Sequence, residues 1–171
     1  MSRRLLIGLA AVALVLTLTV STVVAAPPQM FVTTLSGDEE IPFRDTRARG
    51  TAIFQLSPDG EAMTYRLIAS NIENVVAAHI HVGQPTENGA VVVFLFGPAP
   101  AGGGRHDGVL ATGTITAANL IGPLAGAGMG DLVDEITSGN AYVNVHTNDD
   151  VDPINTGPGD FPGGEIRGQL D

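Results

Sequence analysis

Ala141-Tyr142-Val143-Asn144-Val145-His146-Thr147 alternates between two chemistries: Ala141, Val143 and Val145 are apolar, while Tyr142, Asn144 and His146 are polar. Successive side chains of a β-strand point to opposite faces. The run therefore predicts a strand with one face on a core and a polar stripe on the other. Two further segments read the same way. In Ala77-Ala78-His79-Ile80-His81-Val82, Ile80 and Val82 take the core face and His79 and His81 share the reverse. In Glu165-Ile166-Arg167-Gly168-Gln169-Leu170, Ile166 and Leu170 face inward and Glu165, Arg167 and Gln169 face away. A period of two, recurring in three separated segments, argues for a β fold.

Outward from these segments the chain reads as short strands punctuated by turns. Gln29 to Ser36, Gly50 to Leu56, Ala62 to Ala69, Val75 to Val82, Ala90 to Phe96 and Val109 to Thr116 complete the set. Ser57-Pro58-Asp59-Gly60 suits a type I turn and predicts a hairpin. Glu87-Asn88-Gly89 predicts a second hairpin, since Asn and Gly both tolerate positive φ. Gly102-Gly103-Gly104 opens a loop expected to run to Gly108, with His106 exposed in it. One segment near 131–137 reads as a helix, with Asp131, Asp134 and Glu135 early and Gly139 just beyond its end. The fold class is all-β: an antiparallel β-sandwich or barrel of about eight strands with one short helix, as one module without internal repeats.

The N-terminus reads as a secretory signal peptide over residues 1–25. Arg3 and Arg4 precede an uncharged apolar run from Leu5 to Val20, and small residues follow before Pro27-Pro28. Cleavage after Ala25 places Val23 and Ala25 at the recognition positions and keeps Pro27 away from the cut. The mature domain then spans 26–171. The alternative is an uncleaved anchor, because the run stretched to Ala26 just reaches a bilayer's width.

Composition narrows the partners. The 171 residues include no cysteine, so disulfides and thiolate metal sites are excluded. All eight basic residues are Arg, set against 18 acids. Removing Arg3 and Arg4 with the leader leaves six, and 6 − 18 gives a formal charge of −12. Such a chain lacks the basic footprint that nucleic acid or anionic lipid requires. The expected partner is a protein or another component of the cell envelope, with no nucleic acid and no membrane, and the expected state is a monomer. Location is expected to be secreted or periplasmic.

The polar stripes hold three of the four histidines. Two His at i and i+2 lie about 6.5–7 Å apart on one face and can reach a common ion. Imidazole nitrogens suit zinc and copper. His79, His81 and His146 are thus the candidate metal ligands, with Glu165 as a fourth ligand or as the acceptor that sets a tautomer. The same residues also fit a structural network: the His donate to Glu165 or to backbone, Asn144 joins them, and Arg167 pairs with a carboxylate. The acids of the 148–161 loop, Asp149, Asp150 and Asp152, suggest a weak calcium site, although the EF-hand pattern is absent. Asp38-Glu39-Glu40 reads as a solvated acidic loop. No Gly-x-Ser-x-Gly elbow supports nucleophilic catalysis, and no catalytic residue is assigned.

One resemblance covers nearly the whole mature chain. Leu35-Ser36-Gly37-Asp38-Glu39-Glu40-Ile41-Pro42, Gly50-Thr51-Ala52, Ala78-His79-Ile80-His81-Val82-Gly83, Asn88-Gly89 and Gly113-Thr114-Ile115 carry it, as do Gly139 to Thr147 and Pro162 to Leu170. In this order the segments resemble a CHRD domain, the module repeated in chordin and found singly in secreted bacterial proteins. The loop from Asn148 to Phe161 is longer than that family's usual passage from His-Thr to Pro-Gly-Gly-Glu. A weaker likeness, at the level of fold, is to Cu/Zn superoxide dismutase, whose full His complement and two cysteines are missing here. Chordin antagonises bone morphogenetic proteins largely through other, cysteine-rich modules, so that role is not implied for a lone domain. The expectation is an exported binding or structural module without enzymatic activity. The alternatives are copper or zinc binding through His-x-His plus a third His, and a redox enzyme built on that metal site.

Overall fold

The computed structural model describes residues 29–171; the leader and its cut after Ala25 lie outside the described residues. Eight strands form, close to where the alternation places them: β1 Met30–Ser36, β2 Arg49–Leu56, β3 Ala62–Glu73, β4 Val75–Val82, β5 Ala90–Phe96, β6 Arg105–Thr116, β7 Ala141–Thr147 and β8 Ile166–Leu170. They make one sheet in the order β5-β4-β7-β8-β1-β2-β3-β6, and every pairing is antiparallel. The edge strands β5 and β6 curl back towards each other. The Tyr65 hydroxyl on β3 donates to the Leu95 carbonyl on β5 at 2.6 Å. The result is a nearly closed barrel, which leaves little open sheet edge for other chains to pair with.

The inward positions fill the barrel with Leu35, Phe54, Met63, Leu67, Ile80, Ile115, Val143, Val145 and Ile166, all 1% exposed or less. The single α-helix, α1 (Met129–Thr137), adds Met129, Leu132 and Ile136 to that core. Their i, i+3, i+7 spacing puts all three on one helix face. The Asp131 carboxylate accepts the Gly128 N–H at 2.8 Å, and Gly139 at φ 69° ends the helix in the left-handed region.

The Ser57 hairpin forms as expected, with the Gly60 N–H donating to the Ser57 carbonyl at 2.9 Å. Two expectations are corrected. β4 and β5 pair antiparallel as the second expected hairpin, but neither Asn88 nor Gly89 adopts positive φ. The β4–β5 connection is a wider loop, and Gly89 is needed because a Cβ there would strike the Val82 carbonyl. His106 is not in a solvent loop either. β3 runs on to Glu73, so Arg105 and His106 find partners in Glu73 and Ile72, and β6 begins there. His106 is consequently partly buried.

The outer face of β4, β7 and β8 is roofed by loops. Arg44 Nε donates to the Gly164 carbonyl at 3.2 Å, and the Thr46 hydroxyl donates to Glu165 at 2.6 Å. Asn88 Nδ2 donates to the Ile41 carbonyl at 2.7 Å. The polar stripe therefore lies between a hydrophobic barrel and a lid of loops. Ile80→Ala, which empties a fully buried position beneath the stripe, should cost about 2–5 kcal/mol in urea unfolding. Ile154→Ala, at a position 52% exposed, should stay within about 0.5 kcal/mol of wild type.

Candidate metal centre

Strand register assembles the site. His79 pairs with Asn144, which pairs with Arg167 on its other side; His81 pairs with Tyr142, and Ala77 with His146. Directly opposed residues of antiparallel strands share a face at about 4.5–5.5 Å. The three imidazoles therefore meet although 67 residues separate His79 from His146. One ring nitrogen from each of His79, His81 and His146 lies within 4.8 Å of the others. The closest contact is His79 Nδ1 to His146 Nε2 at 3.0 Å. Around a tetrahedral ion with metal–nitrogen bonds of about 2.0–2.1 Å, donors stand roughly 3.3 Å apart. The widest separation in the cluster, up to 4.8 Å, exceeds that spacing by roughly 1.5 Å.

Backbone carbonyls set the tautomers. His81 Nδ1 lies 3.0 Å from the Gly89 carbonyl, and His146 Nδ1 lies 2.9 Å from the Pro162 carbonyl. A carbonyl only accepts, so both Nδ1 atoms carry the proton and both Nε2 atoms present lone pairs. The proton between His79 Nδ1 and His146 Nε2 must then belong to His79, which leaves the lone pair of His79 on Nε2. The Nε2 atoms of His79 and His81 are buried and make no hydrogen bond among the described residues.

Burial keeps the cluster neutral. It pushes His79 down to about 4, with the neighbouring His146 and His81 adding to the effect. Burial also lowers His81 and His146, each partly offset by its carbonyl bond. Neutral imidazole is the form that binds metal. His79 and His81 are 9% and 7% exposed, and the half-exposed Phe94 sets its ring edge-on to His79 with centroids 4.5 Å apart. Tyr142 stacks on His81 at 4.7 Å and 9°, and the Arg167 guanidinium lies 3.4 Å from the centre of the Tyr142 ring.

The remaining sequence candidates lie elsewhere. Glu165 is fully buried but does not join the histidines. Its carboxylate accepts from the Thr147 hydroxyl at 2.7 Å, the Gly159 N–H at 2.9 Å and Thr46. It anchors the lid, because it lies just before β8 and its carboxylate is taken up by Thr147, Gly159 and Thr46 instead. Among the described residues Arg167 forms no ion pair within 4.0 Å; it donates to the Gln84 and Glu87 carbonyls at 2.9 Å. The 148–161 acids do not converge with one another. Asp149 instead accepts the Val151 N–H, and Asp160 caps Thr156. Among the described residues, the three histidines are the group whose ligand atoms come together.

One buried carboxyl escaped the sequence reading. Glu40, expected in a solvated loop, is 4% exposed. Burial raises its carboxyl to about 7, against the lowering effects of Arg167 and Arg44. No local pattern announces this, because the loop is polar and its cover comes from residues more than a hundred positions away.

A CHRD domain family model matches residues 31–170, and the chain belongs to that family. Searches of curated proteins and of solved structures return no match. Among the described residues no helix is long and apolar enough to cross a membrane.

Glu40 supplies a pH test. Its folded value exceeds its ordinary 4.5, so its stabilisation is complete below about 4.5 and is lost as pH rises through about 7. The unfolding free energy of Glu40→Gln relative to wild type should climb by on the order of 3 kcal/mol between acidic and mildly alkaline solution. A difference that stays flat with pH would count against a costly buried carboxylate.

Proposed function

We propose that this CHRD domain works outside the cytoplasm as a metal-binding module, holding one zinc or copper ion on His79, His81 and His146 without catalysing a reaction. The observation that carries this reading is the convergence of three neutral imidazoles whose lone pairs exceed the donors around them. Buried polar atoms without partners cost about 1–3 kcal/mol each, and a cation here would engage the unpartnered His81 Nε2. Softness supports the choice of metal, since imidazole without thiolate favours zinc or copper over calcium. The acidic surface supports it as well, by raising the local concentration of cations.

Two features support holding an ion rather than turning over a substrate. His79 and His81 are nearly closed off from solvent, and the carbonyl bonds fix ring orientation in advance. Export by the 1–25 leader and a monomeric state belong to the same proposal.

Protein purified without chelator and titrated with Zn²⁺ or Cu²⁺ should bind one equivalent, read by elemental analysis and calorimetry. His79→Ala/His81→Ala should abolish stoichiometric binding. At a free metal concentration of 100 times Kd, wild type should gain about 2.7 kcal/mol of stability and the double variant none. Failure of the wild type to bind either metal would end this reading. Superoxide dismutation by the loaded protein would overturn its non-enzymatic part.

A further inference from the structure

Counting lone pairs across the cluster exposes an imbalance that three histidines alone do not resolve. With His81 Nδ1 committed to the Gly89 carbonyl, His81 Nε2 is an acceptor without a donor. The neighbouring polar side chain is Asn144, which lies within hydrogen-bonding reach of His81. Asn144 is 3% exposed, and its Oδ1 is also buried and unpartnered. Two buried acceptors this near one another repel when no donor lies between them, and a cation shared by both removes that repulsion.

The other end of the amide faces Glu40. Asn144 Nδ2 lies on the side of Gly164, where it would stand 2.8 Å from a Cβ built on that residue, and Glu40 Oε1 crowds the same point. Glu40 Oε1 makes no hydrogen bond among the described residues, but an ionised oxygen on that side attracts the NH₂ end of the amide and leaves the carbonyl end for the histidines. Register supports the placement independently: Asn144 is the cross-strand partner of His79 and stands two residues before His146 on the same face of β7.

We propose that Asn144 Oδ1 is the fourth donor of the metal centre, completing a three-imidazole, one-amide-oxygen set for a divalent first-row cation, with Glu40 holding the amide in that orientation. This rests on the three-histidine reading and sharpens its metal class. A neutral oxygen beside three nitrogens suits Zn²⁺ and Cu²⁺, and it disfavours monovalent copper, which prefers softer donors. His81 and His146 contribute Nε2, whereas His79 contributes Nδ1 once its proton has moved to Nε2. No carboxylate enters the set, so the filled site keeps the full charge of the ion. The two arginines near Glu40 would disfavour that charge, so the acidic surface of the domain must balance it.

The test uses the full mature chain at pH 8 with Zn²⁺ and, as a spectroscopic probe, Co²⁺. Asn144→Leu keeps the shape and removes the oxygen; Asn144→Asp keeps an oxygen donor. The leucine variant should bind Zn²⁺ at least about tenfold more weakly than wild type and lose the intense visible absorption of four-coordinate Co²⁺, whereas the aspartate variant should retain both. In wild type, the ¹³Cγ resonance of Asn144 should shift on addition of Zn²⁺, a reading that does not depend on any variant folding. If wild type binds Zn²⁺ through the histidines but the Asn144 resonance stays still, the fourth donor is wrong and the three-histidine site stands. If Asn144→Leu keeps wild-type affinity and spectrum, the same conclusion follows. If wild type binds no metal, the parent reading fails first.

Discussion

Everything near the candidate centre depends on one constraint: a polar sheet face has been buried. The outer face of β4, β7 and β8 carries His, Tyr, Asn, Arg and Gln, the chemistry of a surface in contact with water, yet loops cover it. Polar groups withdrawn from water must be paired, or each costs on the order of 1–3 kcal/mol. Most are paired, and the pairing makes the lid. Arg167 holds the β4–β5 loop through the Gln84 and Glu87 carbonyls, and Glu165 gathers Thr46, Thr147 and Gly159. The exceptions are concentrated. Of the five buried side-chain atoms without partners among the described residues, four belong to His79, His81, Asn144 and Glu40.

The electrostatics of the layer follow from the same burial. Desolvation disfavours charge of either sign, so it lowers the histidines and raises Glu40. The two effects oppose each other in their pH dependence. The histidines weaken the fold as acid drives them towards protonation, and Glu40 weakens it as base removes its proton. The Arg167–Tyr142–His81 stack adds rigidity without adding a carboxylate to the centre. Cation–π contact lets a buried guanidinium do without an ion pair, which is why the expected Arg167–carboxylate pair was not needed.

Legibility differed by scale. Strands β1, β2, β4, β5, β7 and β8 and the helix were readable because periodicity is a local property with a strong signal. The start of β6 was not, because Arg105 and His106 pair only on account of the unusual length of β3. The Asn88-Gly89 turn was misread because its glycine serves a close approach to Val82 rather than a positive φ. In the site, the three histidines were legible from their shared faces. Glu165 was placed on the correct strand edge, but with the wrong neighbours, since alternation fixes a face and says nothing about which loop covers it.

The sequence by itself determined the all-β class, the inward and outward assignment of each strand, and the identity of the residues on the polar stripe. These follow from a two-residue repeat that any extended chain must obey. Only the tertiary structure decided that the stripe would be buried and that Gly89 and Pro162 would supply the carbonyls behind His81 and His146. It alone brought Glu40 against Asn144 and left Glu165 with the loops. The physical reason is that loops make these contacts. Each of these contacts joins segments whose meeting depends on barrel closure and on loops crossing the outer face, and no local pattern in the chain records where a loop will lie.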